Sequence, residues 1–232
     1  MKNKSCNVIV YWSGERRRSN GTGYAIKLLK YNIEIAKTTN GGCPYDTIIV
    51  NNENANATDE VKELLKSIDG QKTFNGKFIV LNRPNVGISM GAYSHAYEKL
   101  REEYQWWHFT EDDYIYNVKD WYKETKKFYN SKENVGAVAT LGSNGNHIDG
   151  GIGLYKREIL DLYYKDHGRL CWKDTNAYDF SNEIGFSNVY YNMGYGLLQI
   201  PKCYYIRWGN AHGQAQKEST HFGKEAPYIG EW

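Results

Sequence analysis

The sequence is poor in the residues that mark specialised small folds. Only four prolines and four cysteines occur among 232 residues. The cysteines show no C-x-x-C spacing, which disfavours a zinc cluster and a disulfide framework; they are Cys6, Cys43, Cys171 and Cys203. Scattered free thiols are typical of a reducing compartment, so we expect a cytoplasmic protein.

Long apolar runs are also missing. Apolar stretches such as FIVL at 78–81 are far short of the roughly 18 residues that a membrane-spanning helix needs. The N-terminus MKNKSCNVIVYW lacks the long apolar region and the cleavage site of a secretory signal. We therefore predict no transmembrane segment and no export signal.

Neither sign of charge is in clear excess. Lys and Arg number 29 against 27 Asp and Glu, which leaves a formal charge of +2. Nucleic-acid binders usually carry a strong basic excess, so we expect no nucleic-acid partner. Aromatic residues make up 15% of the chain, which disfavours disorder and favours an ordinary globular core.

The first half alternates between two hydrophobic patterns. Short apolar runs predict buried strands, and apolar residues at helical spacing predict helices between them. Strands are predicted at 7–14, 45–53, 76–87 and 104–114, and helices at 24–37, 57–68, 89–103 and 118–130. Thr58 or Asp59 is expected to cap the second helix and Ser89 the third. Such alternation is typical of parallel βαβ units.

The second half is less regular. We predict a strand at 135–142, a glycine-rich turn leading into a helix at 147–164, a helix at 181–195 ending at Gly194, one or two strands at 197–208, and a polar tail at 213–232. The whole chain therefore predicts a single α/β domain with a mostly parallel central sheet and helices on both faces.

Polar segments follow each of the first four predicted strands. They are SGERRR, NNE, NRPNVG and TEDDY. The carboxyl ends of parallel strands meet at one edge of a sheet, here called the carboxyl edge, and ligands of such sheets bind beyond it. The search for a functional site therefore begins at this edge.

Three adjacent acids follow the fourth predicted strand: Glu111, Asp112 and Asp113. Because residues i and i+2 of a strand point to the same side, Glu111 and Asp113 are expected to flank one cation while Asp112 faces elsewhere. Oxygen ligands favour Mg²⁺ or Mn²⁺ over zinc. The alternative is a solvated acidic turn.

The order of these motifs resembles the GT-A-fold glycosyltransferases, especially the inverting family 2 type. NRPNVG, with Arg83, Asn85 and Gly87, is similar to the R-x-x-N-x-G turn of that family, and EDD resembles its D-x-D motif. GGIGLYKREIL resembles the glycine-rich acceptor segment, and Asn182-Glu183 lies where the family has an E-D pair. The resemblance covers roughly residues 7–212.

The resemblance implies a role for each matching residue. Asp113 and Glu111 would hold Mn²⁺ or Mg²⁺ together with His212, while Asp112 would reach the ribose or a metal-bound water. Glu183 would be the catalytic base, with Asp179 and Asp149 as the alternatives. Residues expected to bind the donor are Ser13, Glu15, Asn52, Arg83, Asn85, Gly87, Glu111 and Asp112; those expected to bind the acceptor are Gly150, Gly151 and Trp172.

The implied activity is a metal-dependent, inverting transfer of a sugar from a UDP, GDP or dTDP donor to a saccharide hydroxyl. Residues 1–232 would form one domain, with a donor half at about 1–117 and an acceptor half at about 118–212. Two alternatives stay open. A sugar nucleotidylyltransferase is disfavoured because SGERRRSNGTG lacks the G-x-G-x-R-L pattern. The other is a noncatalytic carbohydrate-binding domain of the same fold.

Overall fold

A seven-stranded sheet forms the centre of the protein in the computed structural model, which describes residues 4–13, 23–53, 57–142, 145, 147–170 and 180–207. Side chains are not described for residues 23, 24, 180–185, 203, 206 and 207. The strands are β1 (Ser5–Trp12), β2 (Asp46–Glu53), β3 (Phe78–Pro84), β4 (Trp106–Glu111), β5 (Tyr114–Ile115), β6 (Val135–Leu141), β7 (Ile148–Lys156), β8 (Gly196–Gln199) and β9 (Ile206–Arg207). The helices are α1 (Gly23–Thr38), α2 (Asp59–Ile68), α3 (Ile88–Leu100), α4 (Trp121–Tyr129), α5 (Arg157–His167) and α6 (Phe180–Asn192).

The strand order in the sheet is β3-β2-β1-β4-β7-β6-β8. Strands β1 to β4 are mutually parallel, and β6 pairs with β8 in parallel. β7 is inserted between β4 and β6 and runs antiparallel to both. β5 and β9 form a separate two-stranded sheet. The predicted α/β fold with a mostly parallel sheet is confirmed.

Helices cover both faces of this sheet, because alternate residues of the strands are apolar on each side. Val8, Val10 and Val50 face a core shared with α3, α5 and α6. Tyr11 and Ile49 face α1 and α2, and α4 packs over a further cluster around β4, β6 and β7. Among the described helices, none is long and apolar enough to cross a membrane.

The glycine-rich segment is a strand where the sequence predicted a turn. Ile152 and Leu154 of β7 are buried in the α4 cluster, whereas Tyr155 is buried on the α3 side. Gly153 lies so close to β6 that a Cβ on it would approach the Ala139 Cβ to 2.7 Å. The glycine therefore permits close strand packing, and the chain passes from β7 directly into α5.

The two predicted helix caps have different outcomes. Thr58 caps α2 as predicted, since its hydroxyl accepts a hydrogen bond from the Val61 N–H at 3.4 Å. The prediction that Ser89 caps α3 is wrong. The N-cap of α3 is Gly87, with φ +74° and no side-chain cap, because a left-handed residue is needed to turn the chain from β3 into the helix.

Candidate functional site

The carboxyl edge gathers the polar residues that end four parallel strands. Ser13 follows β1, Asn52 and Arg83 are register partners near the ends of β2 and β3, and Glu111 ends β4. Since β7 is antiparallel to β4, the beginning of β7 also lies at this edge. The site is thus built from five strands, of which the sequence predicted four.

Arg83 holds the turn between β3 and α3. Its guanidinium donates a hydrogen bond of 2.6 Å to the Asn52 side-chain oxygen and another to the Val86 carbonyl. The Asn52 amide in turn donates to the Ile88 carbonyl at 3.3 Å. Arg83 is 9% exposed, so this buried fork ties the ends of β2 and β3 to the start of α3.

The turn places Ser89 beside the acidic motif. The Ser89 hydroxyl donates a hydrogen bond to Oε1 of Glu111. On another side, a Cβ on Gly150 would lie 3.6 Å from the same carboxylate oxygen. Glu111 is therefore located between the first turn of α3 and the start of β7.

The glycine pair of β7 is held in a conformation that favours glycine. Gly150 and Gly151 have φ of +61° and +72°. The Tyr155 hydroxyl donates to the Gly151 carbonyl at 2.9 Å, and a Cβ on Gly151 would approach Met90 Sδ to 2.6 Å and the Tyr93 ring to 3.2 Å. The backbone of the pair is thus fixed from both sides.

The hydroxyl group of Tyr93 is buried near Glu111. The residue is 1% exposed, and its ring stacks on Phe109 at a centroid distance of 4.6 Å. Burial raises the pKa of Tyr93 well above its usual range, and the charge of Glu111 raises it further. The Tyr93 hydroxyl therefore keeps its proton at a higher pH than an exposed tyrosine would. Sequence reasoning missed both Tyr93 and Tyr155, because helix and strand aromatics read as ordinary core residues.

The other two acids lie beyond the strand. β4 ends at Glu111, and Asp112 and Asp113 form a turn before β5. Strand alternation therefore does not apply to them, and that part of the sequence argument was wrong. The backbone N–H of Asp112 donates to the Val10 carbonyl at 3.1 Å, and the Asn32 amide donates to the Asp112 carbonyl at 2.8 Å. Asp112 is fully buried and Asp113 is 7% exposed.

A further carboxylate begins β7. The Tyr114 hydroxyl donates to Oδ2 of Asp149 at 3.4 Å, which links the start of β7 to the residue after the acidic turn. Asp149 is half-buried. Asp149 thus belongs to the same edge as Glu111, next to Gly150 in the chain.

Helix α6 contacts the start of β7. The Ile148 N–H donates to the Ser187 hydroxyl at 2.8 Å, and Ser187 is fully buried. Glu183 lies in α6 four residues before Ser187, although its side chain is not described. Glu15, Trp172 and His212 lie outside the described residues altogether.

The described residues include two of the three predicted metal ligands, Glu111 and Asp113. Within it, no three His, Cys, Asp or Glu side chains come together as a metal cluster. The predicted third ligand, His212, is not among these residues. Glu111 and Asp113 have the oxygen chemistry that Mg²⁺ and Mn²⁺ prefer, so the metal assignment stays a prediction.

A groove of about 770 Å³ opens next to this site. It lies between α2 and β3, beginning at the carboxyl edge, and its polar lining includes Asn51, Glu53, Lys62 and Asn85. Asn85 lines the groove, and Gly87, two residues later, is the N-cap of α3. Glu111 and Asp113 do not line the groove.

Comparison with known proteins identifies the fold. No family model matches the sequence, and no curated protein is similar to it at a significant level. A mannosyltransferase from Pyrobaculum calidifontis, in complex with GDP-Man and Mn²⁺, gives a TM-score of 0.53 at 14% identity over 84% of this chain and 54% of its own. The chain therefore spans about half the length of that enzyme.

Two further structures extend the comparison. A protein from Desulfovibrio desulfuricans G20, assigned as a nucleotide-diphospho-sugar transferase, gives a TM-score of 0.50 at 12% identity, over 87% of this chain and 80% of its own. A cytidylyltransferase from Leptospira borgpetersenii gives a TM-score of 0.49 at 13% identity, over 86% of this chain and 76% of its own. At such identities the likeness shows the fold alone: this chain shares an α/β fold with the Pyrobaculum and Desulfovibrio proteins.

Proposed function

We propose that the protein is a metal-dependent, inverting glycosyltransferase that transfers a sugar from a nucleotide-sugar donor to a saccharide hydroxyl. The observation that carries the proposal is the composition of the carboxyl edge. There, within a fold used by nucleotide-sugar enzymes, Glu111 lies against the first turn of α3 and the Gly150–Gly151 backbone. This is the edge at which open α/β sheets bind ligands.

The cation would be held by Asp113 and Glu111. Two carboxylates suffice for Mg²⁺ or Mn²⁺ when water and substrate phosphate complete the coordination shell. When bound, the ion would neutralise the negative charge that develops on the departing nucleoside diphosphate. His212 remains the proposed third ligand.

The protein side chains would orient the donor around that ion. Arg83 and Asn52 act through the backbone, because their mutual hydrogen bonds fix the turn that delivers α3 to the site. Gly87, in the left-handed region, starts that helix. Ser13 and Asn85, with Glu15, would contact the nucleotide. Asp112, which is fully buried, is not proposed as a contact to the ribose.

Glu183 is the proposed base that removes the proton from the acceptor hydroxyl. Residues four apart share a helix face, so Glu183 lies on the face of α6 that carries Ser187, the residue bonded to the start of β7. Gly150, Gly151 and Trp172 would border the acceptor. A direct displacement with this base gives inversion and needs no covalent intermediate.

The first test is donor turnover with and without Mn²⁺. GDP-mannose is the first donor to try, because the Pyrobaculum enzyme was crystallised with it; UDP and dTDP sugars follow, with saccharide acceptors. We expect release of a nucleoside diphosphate that stops when EDTA removes the ion. Release of pyrophosphate from a nucleoside triphosphate and a sugar phosphate would instead indicate a nucleotidylyltransferase, and glycan binding indifferent to nucleotide and Mn²⁺ a noncatalytic domain.

Asp113→Asn tests the metal assignment. Removing the charge while keeping the size should lower kcat by about 100-fold or more, because an electrostatic contact to the transition state is lost. Asp161→Asn is the matched control, since Asp161 lies on α5 and accepts a hydrogen bond of 2.6 Å from Tyr97. Near-normal turnover of Asp113→Asn would show that Asp113 does not hold the ion.

A further inference from the structure

The position of Ser89 is fixed by the turn that precedes it. Gly87 caps α3 without a side chain, so the Ser89 hydroxyl has no capping role. Gly91 packs directly under the turn, because a Cβ there would approach the Val86 carbonyl oxygen to 2.1 Å. With Arg83 and Asn52 bonded to the same turn, the first turn of α3 has little freedom to move.

The Ser89 hydroxyl is directed at the acidic motif. Its oxygen donates to Oε1 of Glu111, and Ser89 is only 8% exposed. A hydrogen bond to a carboxylate is stronger than one between neutral groups, and shielding from water strengthens it. The start of a helix also favours a negative charge, so both effects hold the Glu111 carboxylate at this place.

The space around the Glu111 carboxylate is also limited on the side of β7. The Oε1 atom that Ser89 bonds lies 3.6 Å from where a Cβ on Gly150 would be. Gly150 belongs to β7 and has a left-handed backbone. The carboxylate is therefore bounded by α3 and by β7, and Ser89 of α3 is the residue that supplies a directional bond.

We propose that Ser89 is a positioning residue that orients the Glu111 carboxylate toward the cation and donor diphosphate. The proposal rests on the proposed function. Ser89 touches neither ligand in this scheme; it acts through Glu111. Its loss should therefore weaken ion binding and leave the fold intact.

The test measures Mn²⁺ binding directly. Free Mn²⁺ is followed by its EPR signal in the presence of GDP or UDP, with no sugar transfer required. Ser89→Ala should bind Mn²⁺ about 10-fold more weakly, the loss typical of one hydrogen bond to a charged group, while Ser89→Thr should restore most of the affinity. If Ser89→Ala does not fold, the isosteric pair Ser89→Thr and Ser89→Val gives the same comparison.

Ser94→Ala is the matched control. Ser94 lies on the same helix, is 4% exposed, and donates to the Glu98 carboxylate at 2.9 Å. It shares the chemistry of Ser89 but not its location, so its replacement should cost stability without changing Mn²⁺ affinity. Thermal unfolding of both variants separates the two effects.

A double-mutant cycle decides whether Ser89 acts through Glu111. In a Glu111→Gln background, Ser89→Ala should have little further effect on Mn²⁺ affinity. An unchanged 10-fold effect there, or wild-type affinity of Ser89→Ala alone, would overturn the proposal while leaving the proposed function standing. Failure of the wild-type protein to bind Mn²⁺ with either nucleotide would overturn both.

Discussion

At the scale of single residues, the glycine pair of β7 offers a sharp test of the site. Gly151 combines φ +72° with a Cβ position 2.6 Å from Met90 Sδ and 3.2 Å from the Tyr93 ring. Gly151→Ala should lower the free energy of unfolding by about 1–3 kcal/mol. It should also reduce turnover, since the ring it would displace lies near Glu111.

Gly168→Ala is the control for this change. Gly168 ends α5 with φ +68°, and nothing lies within 4 Å of its Cβ position. Urea unfolding of both variants therefore separates the backbone penalty from the steric one. Equal losses for the two variants would mean that the crowding at Gly151 has no energetic effect.

The sequence predicted the positions of polar residues better than their contacts. Glu111, Arg83 and Gly87 could be placed at the carboxyl edge because each lies at or just after the end of a recognisable strand. The bond between Ser89 and Glu111 joins residues 22 positions apart. This bond depends on how α3 packs on the sheet, which the local spacing of residues does not determine. From the sequence alone, Ser89 was therefore predicted to be a helix cap.

At the scale of elements, α2 and α3 begin in different ways. α2 starts with Thr58, whose hydroxyl accepts from the Val61 N–H. Thr58→Ala should lower the free energy of unfolding by about 0.5–1 kcal/mol, because the Val61 N–H loses its side-chain acceptor and keeps only the Thr58 carbonyl at 3.1 Å. Chemical denaturation measures the change, and Thr58→Ser should retain most of the stability. Equal stability of wild type and Thr58→Ala would exclude a capping contribution.

The helical and parallel elements were predictable, whereas β7 was not. Buried parallel strands are continuous apolar runs, and β1, β2 and β4 have that form. β7 contains three glycines among its nine residues, which lowers its apparent strand propensity. Gly150 and Gly151 have left-handed backbones at the site, and Gly153 lets β6 pack closely against β7. Tertiary packing therefore decides the structure of this segment.

At the scale of the whole molecule, the aromatic excess serves the core. The chain has 21 tyrosines and 7 tryptophans. The largest fully buried side chains are nearly all of these types, including Trp107, Trp121, Tyr93, Tyr97 and Tyr155. The described aromatic side chains mostly pack against one another, as expected for a globular core.

The buried histidine of β4 makes stability depend on pH. His108 is fully buried, with Nδ1 2.9 Å from the Asn7 side-chain oxygen and edge contacts to Tyr116 and Trp121. Burial lowers its pKa to about 3 from the usual 6.5. Below pH 6.5, His108 binds a proton in the unfolded chain but stays neutral in the folded one. The free energy of unfolding should therefore fall as the pH is lowered.

The expected slope from His108 is at most about 1.4 kcal/mol per pH unit between those two values. Urea unfolding at pH 7 and pH 4.5 measures it, and His108→Gln should flatten the dependence. His95→Gln is the comparison: burial and the charge of Arg83 lower the pKa of His95 as well, but His95 on α3 is partly exposed, so its removal should flatten the dependence less. An equally steep dependence in His108→Gln would assign the effect to other groups.

The position of β7 between two earlier strands also affects how the chain folds during synthesis. β7 lies between β4 and β6 in space, yet it leaves the ribosome after both. Until residue 156 has emerged, β4 keeps one side without its neighbour, and β6 has no strand through which to join the sheet. Nascent chains halted shortly before that point should therefore expose an unpaired, aromatic-rich strand that invites chaperones or aggregation.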